Sequence, residues 1–295
     1  MTNTISLGLV QQICTDDIEQ NMQNSIDGII QLAKKGADVV VLPELHRTLY
    51  FCQTENIENF NLAETIPGPS TDKLSAIAKQ HSVVIVASLF EHRAKGIYHN
   101  TAVVIESNGD IAGIYRKMHI PDDPGFYEKF YFTPGDLGFR PIKTSVGNIG
   151  VLVCWDQWYP EAARLSALAG ADFLVIPTAI GWDTNDSIEE QQRQRDAWIT
   201  IQRAHAIANG LPIVSCNRTG HEKDPSGQTT GINFWGSSFI AGPQGELLAQ
   251  CSTDTNNTAA VKLNLDHNER VRQIWPYFRD RRIDAYSDIL KRYND

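Results

Sequence analysis

The chain has 295 residues, with 26 Lys and Arg against 35 Asp and Glu, which gives a formal net charge of −9 at pH 7. This balance argues against a nucleic-acid partner, because neutralising phosphates needs clustered basic residues. Hydrophobic residues make up 42% of the chain, and no segment approaches the roughly 20 apolar residues of a membrane-spanning helix. We therefore expect a soluble, folded protein with no membrane partner.

The first half of the chain alternates short apolar runs with amphipathic segments. Apolar residues recur every three to four positions in one long segment, as in a helix, and Asn108-Gly109 predicts a hairpin turn. Ser70 or Thr71 is the expected cap of the second helix. The patterns predict strands over 5–10, 39–42, 83–88, 101–106 and 111–115, and helices over 16–34 and 71–79.

The second half repeats this alternation without repeating the sequence. A further hairpin is expected around the turn 242–245. The predicted strands cover 149–153, 173–176, 213–216, 234–241, 247–251 and 259–263, and the predicted helices cover 160–169 and 188–208.

Strand and helix alternation with apolar strands favours an α/β fold whose sheets are covered by helices. No linker rich in Pro, Gly or Ser divides the chain, so residues 1–295 are expected to form one domain. Two halves that each bury one sheet face could stack as a four-layer α-β-β-α sandwich. A three-layer doubly wound fold is the alternative, and the pattern alone barely separates the two.

Three polar residues follow predicted strands at places where α/β proteins bind ligands. Glu44 comes after the strand 39–42 in VVVLPELH, although a solvated loop glutamate is the simpler interpretation. Lys117 opens a long loop whose many aromatic residues argue against disorder, although it could be a surface lysine. Cys154 ends the run IGVLVC just before a predicted helix, where a nucleophile on a sharp turn and a core cysteine are both possible.

The three residues together suit nucleophilic catalysis better than any one of them does alone. A cysteine nucleophile needs its pKa lowered and a base that takes its proton. Lys117 is suited to the first task and Glu44 to the second. His46 and His119 flank two of the motifs and are expected to give polar support.

Several motifs that would indicate a metal or a cofactor are absent from the sequence. The histidines have no zinc-binding spacing, so no metal is expected, and without a P-loop or dinucleotide motif no cofactor is expected. Five cysteines without a C-x-x-C pair, and residues 1–12 without a secretory signal, favour a cytoplasmic chain with free thiols.

With these segments in order, the chain resembles the nitrilase superfamily of carbon–nitrogen hydrolases over nearly its whole length. The resemblance implies the four-layer α-β-β-α sandwich. It also implies a catalytic set in which Glu44 in LPEL is the base, Lys117 in YRKMHIP stabilises the oxyanion and Cys154 in CWDQWYPE is the nucleophile. Glu128 in FYEKFYF matches a second glutamate that positions the base and the lysine.

Longer strings at 50–53, 119–136 and 154–164 are most similar to superfamily members that hydrolyse N-carbamoylputrescine to putrescine, CO₂ and ammonia, in polyamine synthesis from agmatine. The resemblance therefore implies a small-molecule N-carbamoyl amine substrate and a thiol-bound carbamoyl intermediate. The distal ammonium of such a substrate needs a carboxylate and aromatic walls. Tyr50, Phe126 and Trp155 match pocket aromatics, and Asp183 is preferred over Asp186 and Glu189 as the carboxylate.

Two alternatives remain open at this point. The enzyme could act on another N-carbamoyl compound such as N-carbamoyl-β-alanine, or on a simple amide. The chain could also be a catalytically silent interaction protein, although all three catalytic positions hold competent residues. A homodimer or larger homo-oligomer is expected, with the aromatic and Arg-rich tail 275–295 docking on a neighbouring subunit.

Overall fold

The computed structural model describes residues 4–294; the predicted domain also includes residues 1–3 and 295, which lie outside the described range. Five α-helices are described: α1 (Ile18–Lys34), α2 (Pro69–His81), α3 (Pro160–Leu168), α4 (Ile188–Asn209) and α5 (Asp266–Ile274). The strands are β1 (Thr4–Gln11), β2 (Val39–Val41), β3 (Val84–Ala94), β4 (Ile97–Ile105), β5 (Ile111–Arg116), β6 (Ile142–Thr144), β7 (Gly147–Val151), β8 (Phe173–Thr178), β9 (Gly181–Trp182), β10 (Ile213–Asn217), β11 (Thr219–Glu222), β12 (Ile232–Trp235), β13 (Phe239–Ala241), β14 (Leu247–Gln250) and β15 (Asn257–Asn264).

Two six-stranded sheets form the centre of the molecule. The first has the order β15-β1-β2-β3-β4-β5, and the second has the order β14-β13-β10-β8-β7-β6. In each sheet the central strands are parallel and the outer strands are antiparallel. Strand β15 pairs with β1 over eight residues, so the end of the described fold returns to the sheet where it begins.

The two sheets pack face to face, and helices cover both outer faces. In β2, Val39 and Val41 belong to the core between the sheets, whereas Val40 belongs to the core beneath the helices. Helices α1 and α2 contact the first sheet, and α3 and α4 contact the second. This arrangement confirms the α-β-β-α sandwich and excludes the three-layer alternative.

Local signals explain where the outer helices begin. The Asp17 side chain accepts a hydrogen bond from the Gln20 amide and caps α1. The predicted cap of α2 was wrong, because Gly68 is the cap residue. Thr71 lies inside the first turn, and its hydroxyl accepts a hydrogen bond from the Gly68 amide at 2.8 Å.

The predicted strand 234–241 is two strands in different sheets. Strand β12 joins a three-stranded sheet in the order β11-β12-β9, and β13 joins the second large sheet. Ser237 adopts a φ of 54° between them, which turns the chain sharply. The sequence carries a local signal for this break, because Gly236-Ser237-Ser238 interrupts the apolar residues of 234–241.

The segment after α5 carries exposed apolar side chains. The exposed fraction is 74% for Ile283 and 90% for Leu290, and Ile274, the last residue of α5, is 73% exposed. No helix within residues 4–294 is long and apolar enough to cross a membrane.

Candidate active site

Loops after three strands bring the predicted catalytic residues together. Glu44 follows β2, Lys117 follows β5 and Cys154 follows β7. The Lys117 ammonium donates to Glu44 Oε1 at 2.8 Å and to Glu128 Oε2 at 2.6 Å, with all three side chains inaccessible to solvent. The charges of these three groups act on the Cys154 thiol, so the four residues form one buried cluster.

Cys154 lies on a strained turn between strand and helix. Its φ is 44°, an uncommon value for a residue with a side chain, of a kind that costs about 1–3 kcal/mol. It begins the short 3₁₀ helix Cys154–Trp158. Because the first N–H groups of a helix have no acceptor within the helix, the amide of Trp155 is available to an oxyanion.

Asp156 holds this turn in place, and its role was not predicted from the sequence. One carboxylate oxygen accepts from the Val153 amide at 3.0 Å and from the Tyr115 hydroxyl at 2.8 Å. The other accepts from the amide of His119 at 2.9 Å and lies 2.7 Å from Nδ1 of the same residue. Asp156 therefore fastens the cysteine turn to the segment that follows Lys117.

The pKa of the Cys154 thiol differs from the expectation. Burial raises this pKa well above its usual value, and the Glu44 carboxylate raises it further. Lys117 lowers the pKa of the thiol, as expected, but does not compensate for the other two effects. The resting side chain of Cys154 is therefore a thiol, and a nucleophilic role for its sulfur would require a base that takes its proton.

Glu44 has one carboxylate oxygen engaged in hydrogen bonds and one that is free. Oε1 accepts from Lys117 and from the Asn100 amide at 2.6 Å, whereas Oε2 is buried with no hydrogen-bond partner among the described residues. Asn100 was missed, although a polar residue inside the apolar strand β4 is a recognisable signal. Its side-chain oxygen accepts from the Ser88 hydroxyl, which fixes the amide orientation.

Glu128 and Tyr50 complete the cluster. The Tyr50 hydroxyl donates to Glu128 Oε1 at 2.7 Å. Burial raises the pKa of Glu128 to about 7, although Lys117 lowers it. Burial also disfavours the Lys117 ammonium, but Glu128 and Glu44 outweigh this effect and raise the pKa of Lys117 well above its usual value.

A cavity of about 410 Å³, here called the inner cavity, opens onto Cys154. Phe126, Trp155 and Asp183 line it, whereas Tyr50 lies behind Glu128, fully buried. Four acidic residues and neither Lys nor Arg occur among the described residues of its lining. These residues are Pro121, Asp123, Pro124, Phe126, Glu128, Cys154, Trp155, Trp158, Ala179, Ile180, Gly181, Asp183, Asp186, Gln194, Ala197 and Trp235.

Two of the three acidic residues considered as partners of the distal ammonium of the substrate, Asp183 and Asp186, line the inner cavity. Asp183 is exposed and accepts from the backbone and side-chain amides of Asn185 at 2.8 and 2.9 Å. Asp186 is half-buried and accepts from the Gln194 amide at 2.8 Å. Glu189 lies outside this lining.

The two histidines that flank the motifs, His46 and His119, contact a hydroxyl group and an aromatic ring. His46 is buried against the Ser25 hydroxyl, 2.8 Å from its Nδ1, and burial lowers its pKa to about 3. His119 stacks on Tyr159 with ring centroids 3.8 Å apart. Within residues 4–294, no group of three or more His, Cys, Asp or Glu side chains is placed to hold a metal ion.

Sequence and structure comparisons identify the family of this chain. Residues 6–273 match the carbon-nitrogen hydrolase family, and the chain belongs to this family, within the nitrilase superfamily. A crystal structure of a carbon-nitrogen hydrolase from Helicobacter pylori G27 is similar at a TM-score of 0.96 and 54% identity, over 99% of this chain and 100% of that one.

Curated relatives point to amidases. An N-carbamoylputrescine amidase of Solanum lycopersicum is 40% identical over 288 residues, which cover 97% of this chain and 95% of that protein. A citrullinase of Francisella tularensis is 37% identical over 290 residues, which cover 98% and 99%. The protein is therefore an enzyme that hydrolyses carbon–nitrogen bonds, an amidohydrolase of this family.

Proposed function

We propose that the enzyme hydrolyses N-carbamoylputrescine to putrescine, CO₂ and ammonia, in putrescine synthesis from agmatine. The observation that carries this proposal is the lining of the inner cavity, which places Cys154 beside four acidic residues and no basic one. A substrate with a ureido group at one end and an ammonium at the other matches both features. The amidase relative at 40% identity supports the same substrate.

In the first half of the reaction, Glu44 takes the proton of the Cys154 thiol and the sulfur attacks the ureido carbonyl carbon. The Lys117 ammonium and the Trp155 amide stabilise the oxyanion that forms. Glu44 then returns the proton to the terminal amino group. Ammonia leaves, and an N-alkylcarbamoyl thioester remains on Cys154.

In the second half, water enters the site and Glu44 takes one of its protons. The resulting hydroxide attacks the thioester carbonyl, and Glu44 gives the proton to the departing Cys154 sulfur. The released carbamate decomposes to the amine and CO₂. One urea and one water thus give one amine, one CO₂ and one ammonia.

The distal ammonium is proposed to bind at Asp183, with Asp186 as the second carboxylate within the same lining. Trp155 and Phe126 supply apolar walls for the methylene chain and for the ammonium. Tyr50 contributes by fixing Glu128 and the ring of Phe126, whose centroid lies 5.5 Å from that of Tyr50.

The test compares product release from N-carbamoylputrescine, citrulline and N-carbamoyl-β-alanine. We expect a clear preference for N-carbamoylputrescine, no turnover by Cys154→Ala, and a KM raised at least tenfold by Asp183→Asn with kcat nearly unchanged. Intact-mass spectrometry should detect an adduct on Cys154 with a slow substrate. Preference for N-carbamoyl-β-alanine would overturn the substrate assignment. Absence of all hydrolysis, with Cys154 inert to iodoacetamide, would favour a catalytically silent protein.

Citrulline is the second candidate substrate, because the citrullinase relative is 37% identical over nearly its full length. Citrulline carries a carboxylate beside its distal ammonium. Placing that carboxylate beside Asp183 and Asp186, in a lining without a basic residue, brings like charges together and is unfavourable. We therefore rank citrulline second.

We further propose that the protein is cytoplasmic and forms a homo-oligomer. The five free thiols are in keeping with the cytoplasmic location.

A further inference from the structure

A buried ion pair lies behind the active site, outside the catalytic cluster. Arg218 lies between β10 and β11, and Glu222 ends β11. Both side chains are fully buried, and Arg218 Nη1 donates to both carboxylate oxygens of Glu222 at 2.8 Å. Two ions removed from water are costly, and an apolar pair of similar volume is often no less stable, so stability alone does not explain this pair.

The pair holds the backbone of one loop, residues 45–50. Arg218 Nη2 donates to the carbonyl oxygens of Leu45 at 2.8 Å and Thr48 at 2.9 Å. On the other side, Glu222 Oε2 accepts from the Tyr50 amide at 2.7 Å. The loop is thus bound at its beginning, middle and end by a single pair of side chains.

Both ends of this loop lead to catalytic carboxylates. Leu45, held in a left-handed conformation with a φ of 48°, directly follows the base Glu44. Tyr50, at the other end, donates its hydroxyl to Glu128. The two carboxylates that bind the Lys117 ammonium therefore depend on the same loop.

We propose that Arg218 is a positioning residue for the amidase reaction, which fixes Glu44 through Leu45 and the Glu128 carboxylate through Tyr50. The inference rests on the proposed catalytic roles of these carboxylates. The fork of a guanidinium suits this task, because one nitrogen binds Glu222 while the other binds two carbonyl groups. A lysine at this position carries the charge, but its ammonium cannot bind both Glu222 and the two carbonyl groups in the same plane.

The proposal gives a pH signature that a merely structural role would not. Glu128 is faced by Lys117 and Glu44 from the first sheet, by Tyr50 and Cys52 from the following loop, and by Cys154 from the second sheet. The Tyr50 hydrogen bond lowers the pKa of Glu128. Weakening this hydrogen bond therefore raises the pKa of Glu128. As the pH is lowered, activity that needs the ionised carboxylate is then lost at a higher pH.

The experiment measures two pH profiles for Arg218→Lys, Tyr50→Phe and the double variant. One profile is kcat/KM for the substrate that the wild type prefers, and the other is the rate of Cys154 alkylation by iodoacetamide, which needs no substrate. Leu32→Ala, in the core between α1 and the first sheet, is the control for a general loss of thermal stability.

We expect the acidic limb of the kcat/KM profile to move upward by at least half a pH unit in each single variant, and no further in the double variant, because both changes act through one hydrogen bond. The Glu128 carboxylate raises the pKa of Cys154, so the alkylation profile should show a step where Glu128 is protonated, and this step should move upward by the same amount. Leu32→Ala should lower Tm without moving the limb. An unmoved limb in Tyr50→Phe, or a lower Tm with an unmoved limb in Arg218→Lys, would overturn the proposal. If the wild type hydrolyses no ureido compound, the proposed function fails, while the alkylation profiles still decide the role of Arg218.

Discussion

At the centre of the site, one ammonium and two carboxylates lie where no solvent reaches them. Two carboxylates on one lysine give this cluster a net negative charge when all three groups are ionised. Burial makes that charge costly, which explains why the pKa of Glu128 rises to about 7 while Lys117 keeps its proton. Lys117 is therefore suited to stabilising an oxyanion and unsuited to acting as a base.

The first prediction concerns the pH dependence of catalysis. As pH falls through about 7, Glu128 gains a proton, and one of the two charges that hold the Lys117 ammonium is lost. We expect kcat/KM to fall with it. Glu128→Gln should lose roughly 10²-fold in kcat, about 2.7 kcal/mol, and should no longer show this acidic limb. Glu55→Gln, at an exposed position, is the control. If the fall in kcat/KM near pH 7 persists in Glu128→Gln, the titration of another group causes it.

The second prediction concerns Asp156, whose two oxygens accept from donors on both sides. In Asp156→Asn one acceptor becomes a donor and faces an N–H group in either orientation. We expect a loss of about 1–3 kcal/mol in the free energy of unfolding and at least a tenfold fall in kcat. Denaturant unfolding and steady-state kinetics measure the two effects.

Tyr115→Phe is the matched variant, because it removes only one of the hydrogen bonds to Asp156. Its losses should be clearly smaller. Equal losses in the two variants would mean that the tyrosine contact, and not the fastening of the cysteine turn, carries the role of Asp156.

At the level of elements, the long loop after β5 is held to the site by its backbone. The Gly135 amide donates to the Lys117 carbonyl oxygen at 2.8 Å, which brings the far end of the loop back to the lysine. A Cβ atom at Gly135 would lie well inside contact distance of the Arg116 carbonyl oxygen. A glycine is required here by close approach of two backbone segments.

The third prediction follows from this contact. Gly135→Ala should push the loop off the segment 116–117, displace Lys117 and lower kcat at least tenfold, as measured by steady-state kinetics. Gly138→Ala in the same loop is the control, because φ there is 70° but no atom lies within 4 Å of the new Cβ. It should cost stability through backbone strain while leaving kcat nearly unchanged. Equal kcat in the two variants would contradict the anchoring role.

The sequence reveals the elements that carry chemistry better than those that support it. Glu44, Lys117 and Cys154 each follow an apolar run, and such runs are visible in one dimension. Asn100 and Arg218 are different, because their importance depends on contacts with residues 56 and 173 positions away along the chain. No local pattern encodes such a pairing.

On the scale of the whole molecule, several apolar side chains of the outer layers and the tail face solvent in the single chain. Leu165 and Leu168 on α3 are 48% and 46% exposed, and the segment after α5 adds Ile283 and Leu290. Exposed apolar surface of this kind is typical of contacts between proteins. These observations support the proposed homo-oligomer and the proposed docking of the tail on a neighbouring subunit.

The fourth prediction tests this assembly. Light scattering of the full chain should give at least twice the mass of one chain, and removal of residues 275–295 should reduce the assembly or weaken it. Leu290→Ser is a milder variant, because it removes one apolar side chain that is 90% exposed and leaves the fold intact. A full chain that elutes at monomer mass would refute the prediction.

The pairing of β15 with β1 has a consequence for synthesis on the ribosome. Strand β1 has its partner on one side only after residue 264 has left the exit tunnel, since the register joins Thr4 to Asn264. Until then, a buried apolar strand near the start of the chain presents unpaired backbone groups to other nascent chains. The interval between making β1 and making β15 covers the translation of residues 12–256, so slow translation anywhere within this stretch should prolong the exposure of β1 and promote aggregation.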